Sequence, residues 1–190
     1  ALERPAFPYF GAYDAVVITD YGHGMMTDEL IERLCHEAKF LAVNVQSNAG
    51  NYGYNLATKW PRADYLCLDE PEARLSTQNQ RGPISESIIQ LASIAPRVCI
   101  TRSKDGAMGF YHDEIVEVTA LTDRVVDTMG AGDAFFSVTA VMAEDADMTQ
   151  LLRVGNAAGA LKAQIVGHRQ FVSKAKLLAY LEAYAATPQN

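Results

Sequence analysis

Short apolar runs alternate along this chain with stretches in which apolar residues recur every three or four positions. YDAVVITD (13–20) is a continuous apolar run that ends in polar residues, and it predicts a buried strand. TDELIERLCHEAKF (27–40) puts Leu30, Ile31, Leu34 and Cys35 on one helical face, behind Thr27 as the helix cap. LAVNVQ (41–46) and YLCLDE (65–70) read as further strands, RGPISESIIQLASIA (81–95) as a helix, and RVCITRS (97–103) as a strand again. GAMGFYHDEIVEVTA (106–120) predicts two strands joined by a tight turn at His112-Asp113. Three helical stretches follow, over 132–144, 148–165 and 173–185.

Strand and helix in alternation predict an α/β domain, with a mostly parallel sheet and helices on its faces. SNAGNYGYNLATKW (47–60) shows neither period, and reads either as a long surface loop or as a ligand or subunit contact. In sheets of this kind ligands collect outside the carboxyl ends of the strands. Those ends carry Asp20, then Asn44 and Gln46, then Asp69 and Glu70, then Thr101 to Ser103. Four strands therefore contribute to one polar rim, which is where a site is expected.

The chain has 190 residues, 49% of them hydrophobic, which is enough for one domain with a real core. No apolar run approaches the roughly 20 residues of a membrane span. A net charge of −7 argues against nucleic acid or an anionic membrane surface as the main partner. Any phosphate must be held locally, by backbone amides, a few cations or a metal. The three cysteines lack a C-x-x-C spacing; Cys67 and Cys99 lie in apolar runs and read as core residues of a cytoplasmic protein with reduced thiols. The four histidines show no metal-binding spacing. His23, near a strand end, is a functional candidate, whereas His36, His112 and His168 read as surface residues. Residues 1–12 lack a signal peptide's pattern and read as a connector to a domain over 13–190, so the chain is expected to be part of something longer.

The most informative stretch is DTMGAGDAFF (127–136), small residues between two aspartates at the start of a helical pattern. A helix N-terminus carries unpaired N–H groups and roughly half a positive charge. Gly130, Ala131 and Gly132 keep side chains out of the way, so those N–H groups can approach an anion. They could hold a phosphate or stabilise a phosphoryl group in flight, with Asp133 placed to take a proton from an attacking hydroxyl. The plainer alternative is that Asp127 or Thr128 caps an ordinary helix and the glycines make the turn.

D-T-x-G-A-G-D resembles the second signature of the PfkB, or ribokinase-like, carbohydrate kinases. VITDYGHGMMT (17–27) is similar to the S-D-Y-G-K-G-x-L-T stretch of that family's heptose 7-phosphate kinases. ADYLCLDEPEARL (63–75) resembles its strand ending in N-x-x-E, ITRSKDGAMGFY (100–111) the following strand and turn, and NAAGALKA (156–163) the late helix beside the adenine. The resemblance runs from about Ala15 to about Leu181. It implies a ribokinase-like three-layer sandwich truncated at its amino terminus, binding ATP and Mg2+ and phosphorylating a sugar or sugar phosphate.

By the same resemblance Asp133 is the general base, and Gly130, Ala131 and Gly132 form the anion hole. Asp69 and Glu72 match N-x-x-E, with Asp in place of Asn, and help to place the magnesium and phosphates. A plain reading of the same pair is a helix-capping box. Thr101, Ser103 and Gly106 edge the nucleotide, Ser103 standing where the family often has Gly. Asp127 and Thr128 belong to the nucleotide site, and Asn156 lies near the adenine. Asp20 and His23 match the Asp and Lys of D-Y-G-K-G on the substrate side, although His lacks the permanent charge of Lys. The lid hairpin, the Gly-Gly signature and most sugar contacts of the family precede the matched region. That segment, or a second copy of the chain, is an expected partner, and the chain alone is expected to be weakly active or inactive. The alternative from a different class is a catalytically inactive nucleotide-binding or assembly module.

Overall fold

A computed structural model of the chain describes residues 7–48, 50–121, 125–167 and 169–185. The surface reading of His168 and the first half of the expected connector lie outside the described residues. Among them, six strands form one sheet in the sequential order β1 (Val16–Asp20), β2 (Leu41–Val45), β3 (Tyr65–Asp69), β4 (Arg97–Thr101), β5 (Ala107–Tyr111) and β6 (Glu114–Val118). The first four are parallel and the last two antiparallel. The expected mostly parallel sheet is therefore present, with the predicted hairpin at its end.

That hairpin turns on His112 and Asp113, with φ of 51° and 62°. Two consecutive left-handed residues make the type of turn whose twist matches paired strands.

Sequential strand order combined with right-handed crossovers sends successive connections to one face of the sheet. Helices α1 (Asp28–Glu37), α2 (Glu70–Thr77) and α3 (Ile84–Leu91) cover that face. Their Leu30, Leu34, Ala73, Ile88 and Leu91 meet Leu41, Val43, Leu66, Leu68, Val98 and Ile100 of the strands. Alternate strand residues point the other way: Ala42, Tyr65, Cys67 and Cys99 meet Phe135, Phe136, Leu151 and Leu152 of α4 (Ala131–Thr139) and α5 (Met148–Ala163). The period of two in β2, β3 and β4 thus builds two cores from one sheet. Each fully buried Leu or Ile in them contributes about 1.5–3 kcal/mol. Helix α6 (Lys174–Ala185) packs outside α5 through Leu177, Tyr180 and Leu181.

Some elements differ from expectation. Thr27 caps α1 as predicted, accepting from the Leu30 N–H at 3.3 Å. Helix α2 was signalled only by the capping-box reading of Asp69 and Glu72, not by any period. Its eight residues carry too few apolar positions to show a period, yet Ala73, Ser76 and Thr77 are buried. The expected helix over 81–95 shortens at its start because Pro83 takes the cap position, leaving Arg81 and Gly82 in the preceding turn. Phe10, within the expected connector, is buried, and its N–H donates to Glu37 Oε2 at 3.0 Å.

The unassigned stretch 47–60 fits closely over the carboxyl ends of β1 and β2. Asn55 Nδ2 donates to Asp20 O and Gln46 O at 2.9 and 3.0 Å, Asn51 Nδ2 to Tyr21 O at 2.9 Å, and Trp60 is fully buried.

Candidate active site

A cleft of ≈1220 Å³ opens at the carboxyl ends of β2 to β4, facing the N-terminus of α4 and the middle of α5. Its lining brings together Asp69, Glu72, Thr101, Ser103, Gly106, Thr128, Gly130, Ala131, Gly132, Asp133 and Asn156. Residues from four separate parts of the sequence converge because the ends of β3 and β4, the start of α4 and the middle of α5 lie on the same side of the sheet.

Helix α4 begins at Gly130, whose φ of 76° suits glycine at that turn, with no side chain capping the helix. The simple-cap alternative for Asp127 or Thr128 is thus not what the chain does. The Ala131 N–H is taken by Thr128 O at 3.1 Å, and the Ala134 N–H by Gly130 O at 2.9 Å. Helix geometry leaves the N–H groups of Gly132 and Asp133 without an intrahelical acceptor. The amides left without an acceptor at the start of α4 are therefore those of Gly132 and Asp133, whereas the Ala131 N–H serves the turn. A Cβ built on Gly132 meets no atom within 4 Å, so open space lies in front of it.

Asp133, in the first turn of α4, is half-buried. The Tyr21 hydroxyl lies near the Asp133 carboxylate; burial, then the Asp133 charge, raises the Tyr21 phenol above its ordinary value. Sequence reasoning singled out Asp20 and His23 on either side of Tyr21 and missed the residue between them. No spacing rule marks it, because the contact depends on how the end of β1 faces α4.

Asp69 and Glu72 form a complete capping box at the start of α2. The Glu72 N–H donates to Asp69 Oδ1 at 2.7 Å, and the Asp69 N–H to Glu72 Oε2 at 2.8 Å. The other Glu72 oxygen accepts from the Ser47 N–H at 2.9 Å. Burial, then the neighbouring Asp69 charge, pushes Glu72 up to about 7, and burial also raises Asp69. The capping and cleft-lining readings of this pair therefore hold together, since the same two side chains do both.

Thr101 sits opposite Asp69 in the sheet register and is half-buried. Ser103 adopts φ 52°, which explains why glycine suits its place. Gly106 is required: a Cβ there would lie 2.0 Å from Val118 O, and its φ is 85°. The Asn156 amide donates to Val118 O at 3.2 Å and so ties α5 to the end of β6 beside the cleft. Arg74, Arg102 and Lys104 add cations to the same lining, which sequence reasoning did not select. Glu70 pairs with Arg74 at 2.8 Å and with Arg102 at 3.5 Å.

Three expected site residues lie outside the lining. Asp20 is buried, paired with Lys59 at 2.5 Å, and accepts from Trp60 Nε1 at 3.2 Å and the Gly22 N–H at 3.0 Å. It anchors the 47–60 segment, and its carboxylate is taken up by that task. His23 is exposed and stacks on Tyr21 with ring centroids 6.3 Å apart. Asp127 accepts from the Met129 N–H at 2.9 Å and the Gly167 N–H at 2.8 Å, which makes it a turn anchor behind the helix start.

Among the described residues no cluster of three or more His, Cys, Asp or Glu could hold a metal, and no helix is long and apolar enough to cross a membrane. Each Asp69 and Glu72 oxygen retains lone pairs beyond its hydrogen bonds. This donor set fits magnesium, which takes one or two carboxylates, several waters and phosphate oxygens.

The sequence model described as pfkB family carbohydrate kinase matches residues 7–175. The bifunctional protein HldE of Geotalea uraniireducens is 26% identical over 156 residues, covering 78% of this chain and 31% of its own. The chain thus spans about a third of the length of the curated relatives it matches. Among solved structures, Escherichia coli phosphofructokinase-2 in complex with potassium superposes with a TM-score of 0.74 at 18% identity, covering 90% of this chain and 57% of that one. Arabidopsis thaliana ribokinase complexed with ribose and ATP gives 0.74 at 19% identity, covering 91% and 57%. At these identities the likeness establishes the fold, which is ribokinase-like.

Proposed function

The chain belongs to the pfkB family of carbohydrate kinases, and on that premise we propose that it supplies the nucleotide site, anion hole and catalytic base for phosphoryl transfer from ATP to a hydroxyl of a sugar or sugar phosphate. The observation that carries the reading is the pairing of Asp133 with the outward-facing amides of Gly132 and Asp133 at one end of α4, opening into a cleft large enough for a nucleotide.

In this mechanism Asp133 accepts the proton of the attacking hydroxyl as the new oxygen–phosphorus bond forms and the bond from the γ-phosphorus to the bridging oxygen breaks, with ADP as the leaving group. The two amides face the oxygens of the transferring group, where charge is spread in the transition state. The Tyr21 hydroxyl lies near the Asp133 carboxylate and adds a polar group beside the base. Thr101, Ser103 and Gly106 border the nucleotide, and Asn156 fixes the wall of α5 beside the base. Asp69 and Glu72 would hold magnesium through water, and the ion would neutralise the β- and γ-phosphates. Asp69 in place of Asn fits this reading, because an aspartate caps α2 as well as an asparagine does.

Saturating Mg-ADP tests this reading without needing an acceptor. At 100 times its dissociation constant a ligand adds about 2.7 kcal/mol, which raises the Tm of a chain this size by roughly 5–10 °C. The Asp133→Asn variant should show the same rise. No rise in either protein would remove the nucleotide site, and with it the proposed function.

A further inference from the structure

Lys162, in the last turn of α5, is 7% exposed, and its ammonium donates to two main-chain carbonyls, Met129 O at 2.7 Å and Gly167 O at 2.9 Å. The two carbonyls belong to different turns. One leads into α4 and the other follows α5. Asp127 takes the N–H groups of the same two residues. Met129 and Gly167 are thus gripped by an anion on their amides and a cation on their carbonyls.

The cation lies directly behind the phosphate-facing turn. A Cβ on Gly130 would come within 3.2 Å of Lys162 Cε and 3.6 Å of its Nζ. A buried positive charge at a helix N-terminus opposes the helix dipole and is unfavourable while nothing negative is bound there. An anion in front of Gly132 reverses the sign of that interaction. A buried ammonium held by backbone carbonyls is also chemically what a bound potassium or ammonium ion would be.

We propose that Lys162 is a built-in monovalent cation of the phosphate-binding turn: it fixes residues 127–130 against 164–167 and supplies the fixed positive charge behind Gly130. It is a positioning residue, and the part of the inference that concerns phosphate rests on the proposed function. The carbonyl cradle itself does not.

The test compares wild type with Lys162→Ala and Lys162→Met in choline, potassium and ammonium chloride at equal ionic strength, first by thermal unfolding and then by the Mg-ADP shift. Wild type should unfold at the same temperature in all three salts. Lys162→Ala should lose several degrees in choline, because two partly buried carbonyls lose their donor, and should regain at least half in potassium or ammonium. Lys162→Met fills the space with an apolar chain and should be low in every salt. Should Lys162→Ala be unfolded in choline, folding restored by potassium gives the same answer. A Lys162→Ala protein as stable as wild type in choline, or one indifferent to the cation, overturns the cradle. The Mg-ADP shift of Lys162→Ala should be smaller in choline, with up to about 30-fold weaker binding on the scale of a partly buried charge at a helix terminus, and should recover with potassium. An unchanged shift removes the charge role while leaving the cradle. A wild type without any Mg-ADP shift overturns the charge role together with the proposed function, and the unfolding data still decide the cradle.

Discussion

Asp69 and Glu72 hold each other's backbone amide, at 2.7 and 2.8 Å, so that the first turn of α2 is closed by two carboxylates that also line the cleft. Two acids this near, with Glu72 buried, cannot both carry charge cheaply. The strain appears as the raised Glu72.

Its sign gives a pH dependence. Glu72 holds its proton more tightly in the folded chain, at about 7, than at its ordinary 4.5. Between those values the folded state binds more protons, so stability contributed by this group is complete below about pH 4.5 and is lost as the pH rises through 7. Raised Asp69 acts in the same sense. Thermal unfolding of the ligand-free protein from pH 5 to 8 should show a decline on the order of 2 kcal/mol from this group. In Glu72→Gln the decline should flatten; an equally steep curve in the variant would assign the slope elsewhere.

Asp133→Asn should reduce phosphoryl transfer in the complete protein by roughly 10²- to 10⁴-fold. Nucleotide affinity should stay close to wild type, because the amides at the start of α4 remain. Single-turnover rates beside ADP titrations separate the two quantities. A variant with full transfer rate would exclude Asp133 as the base.

The glycines divide into those the fold needs and one the ligand needs. Gly132→Val points into open space, so it should fold normally while weakening nucleotide binding at least tenfold by crowding the anion-facing amides. Gly106→Ala should fail differently. Its Cβ would strike the Val118 carbonyl and its φ is 85°, so loss of stability should exceed loss of binding. Melting curves and ADP titrations of both variants check the contrast, and equal stability losses would contradict it.

Cys67 and Cys99 should resist thiol reagents in the folded protein, and half-buried Cys35 should react first. Both inner thiols are fully covered by the α4–α5 layer, and burial pushes Cys99 up to about 12 and Cys67 well above its ordinary value. Mass spectrometry after brief alkylation reads the order; early labelling of Cys67 would contradict the core assignment.

The strands of this fold were legible because β2, β3 and β4 are covered on both faces and therefore read as unbroken apolar runs. The start of α4 was legible because D-T-x-G-A-G-D joins rare backbone freedom to a carboxylate. Helix α2 was legible only at its capping box, since eight residues with a polar inner edge leave no periodic trace. Asp20 illustrates a further limit. Its motif position suggested a substrate contact, but the carboxylate is bound by Lys59 and Trp60 from a segment whose course no pattern predicts. Tyr21 and Lys162 went unseen for the same reason, since each faces a residue more than thirty positions away in the chain.

The division of the sheet into two faces sets a schedule for synthesis. All four parallel strands and helices α1 to α3 are made by Thr101, so one face has its covering helices while the other, with Ala42, Tyr65, Cys67 and Cys99, still awaits helices ending at Ala163. At about 5–20 residues per second, ribosomes need roughly 3–12 s to cover that distance. For that interval the nascent chain carries a finished, apolar, thiol-bearing surface with nothing against it. Chains arrested before Phe135 should therefore expose both inner cysteines to alkylation and engage chaperones, and chains released after Ala163 should do neither.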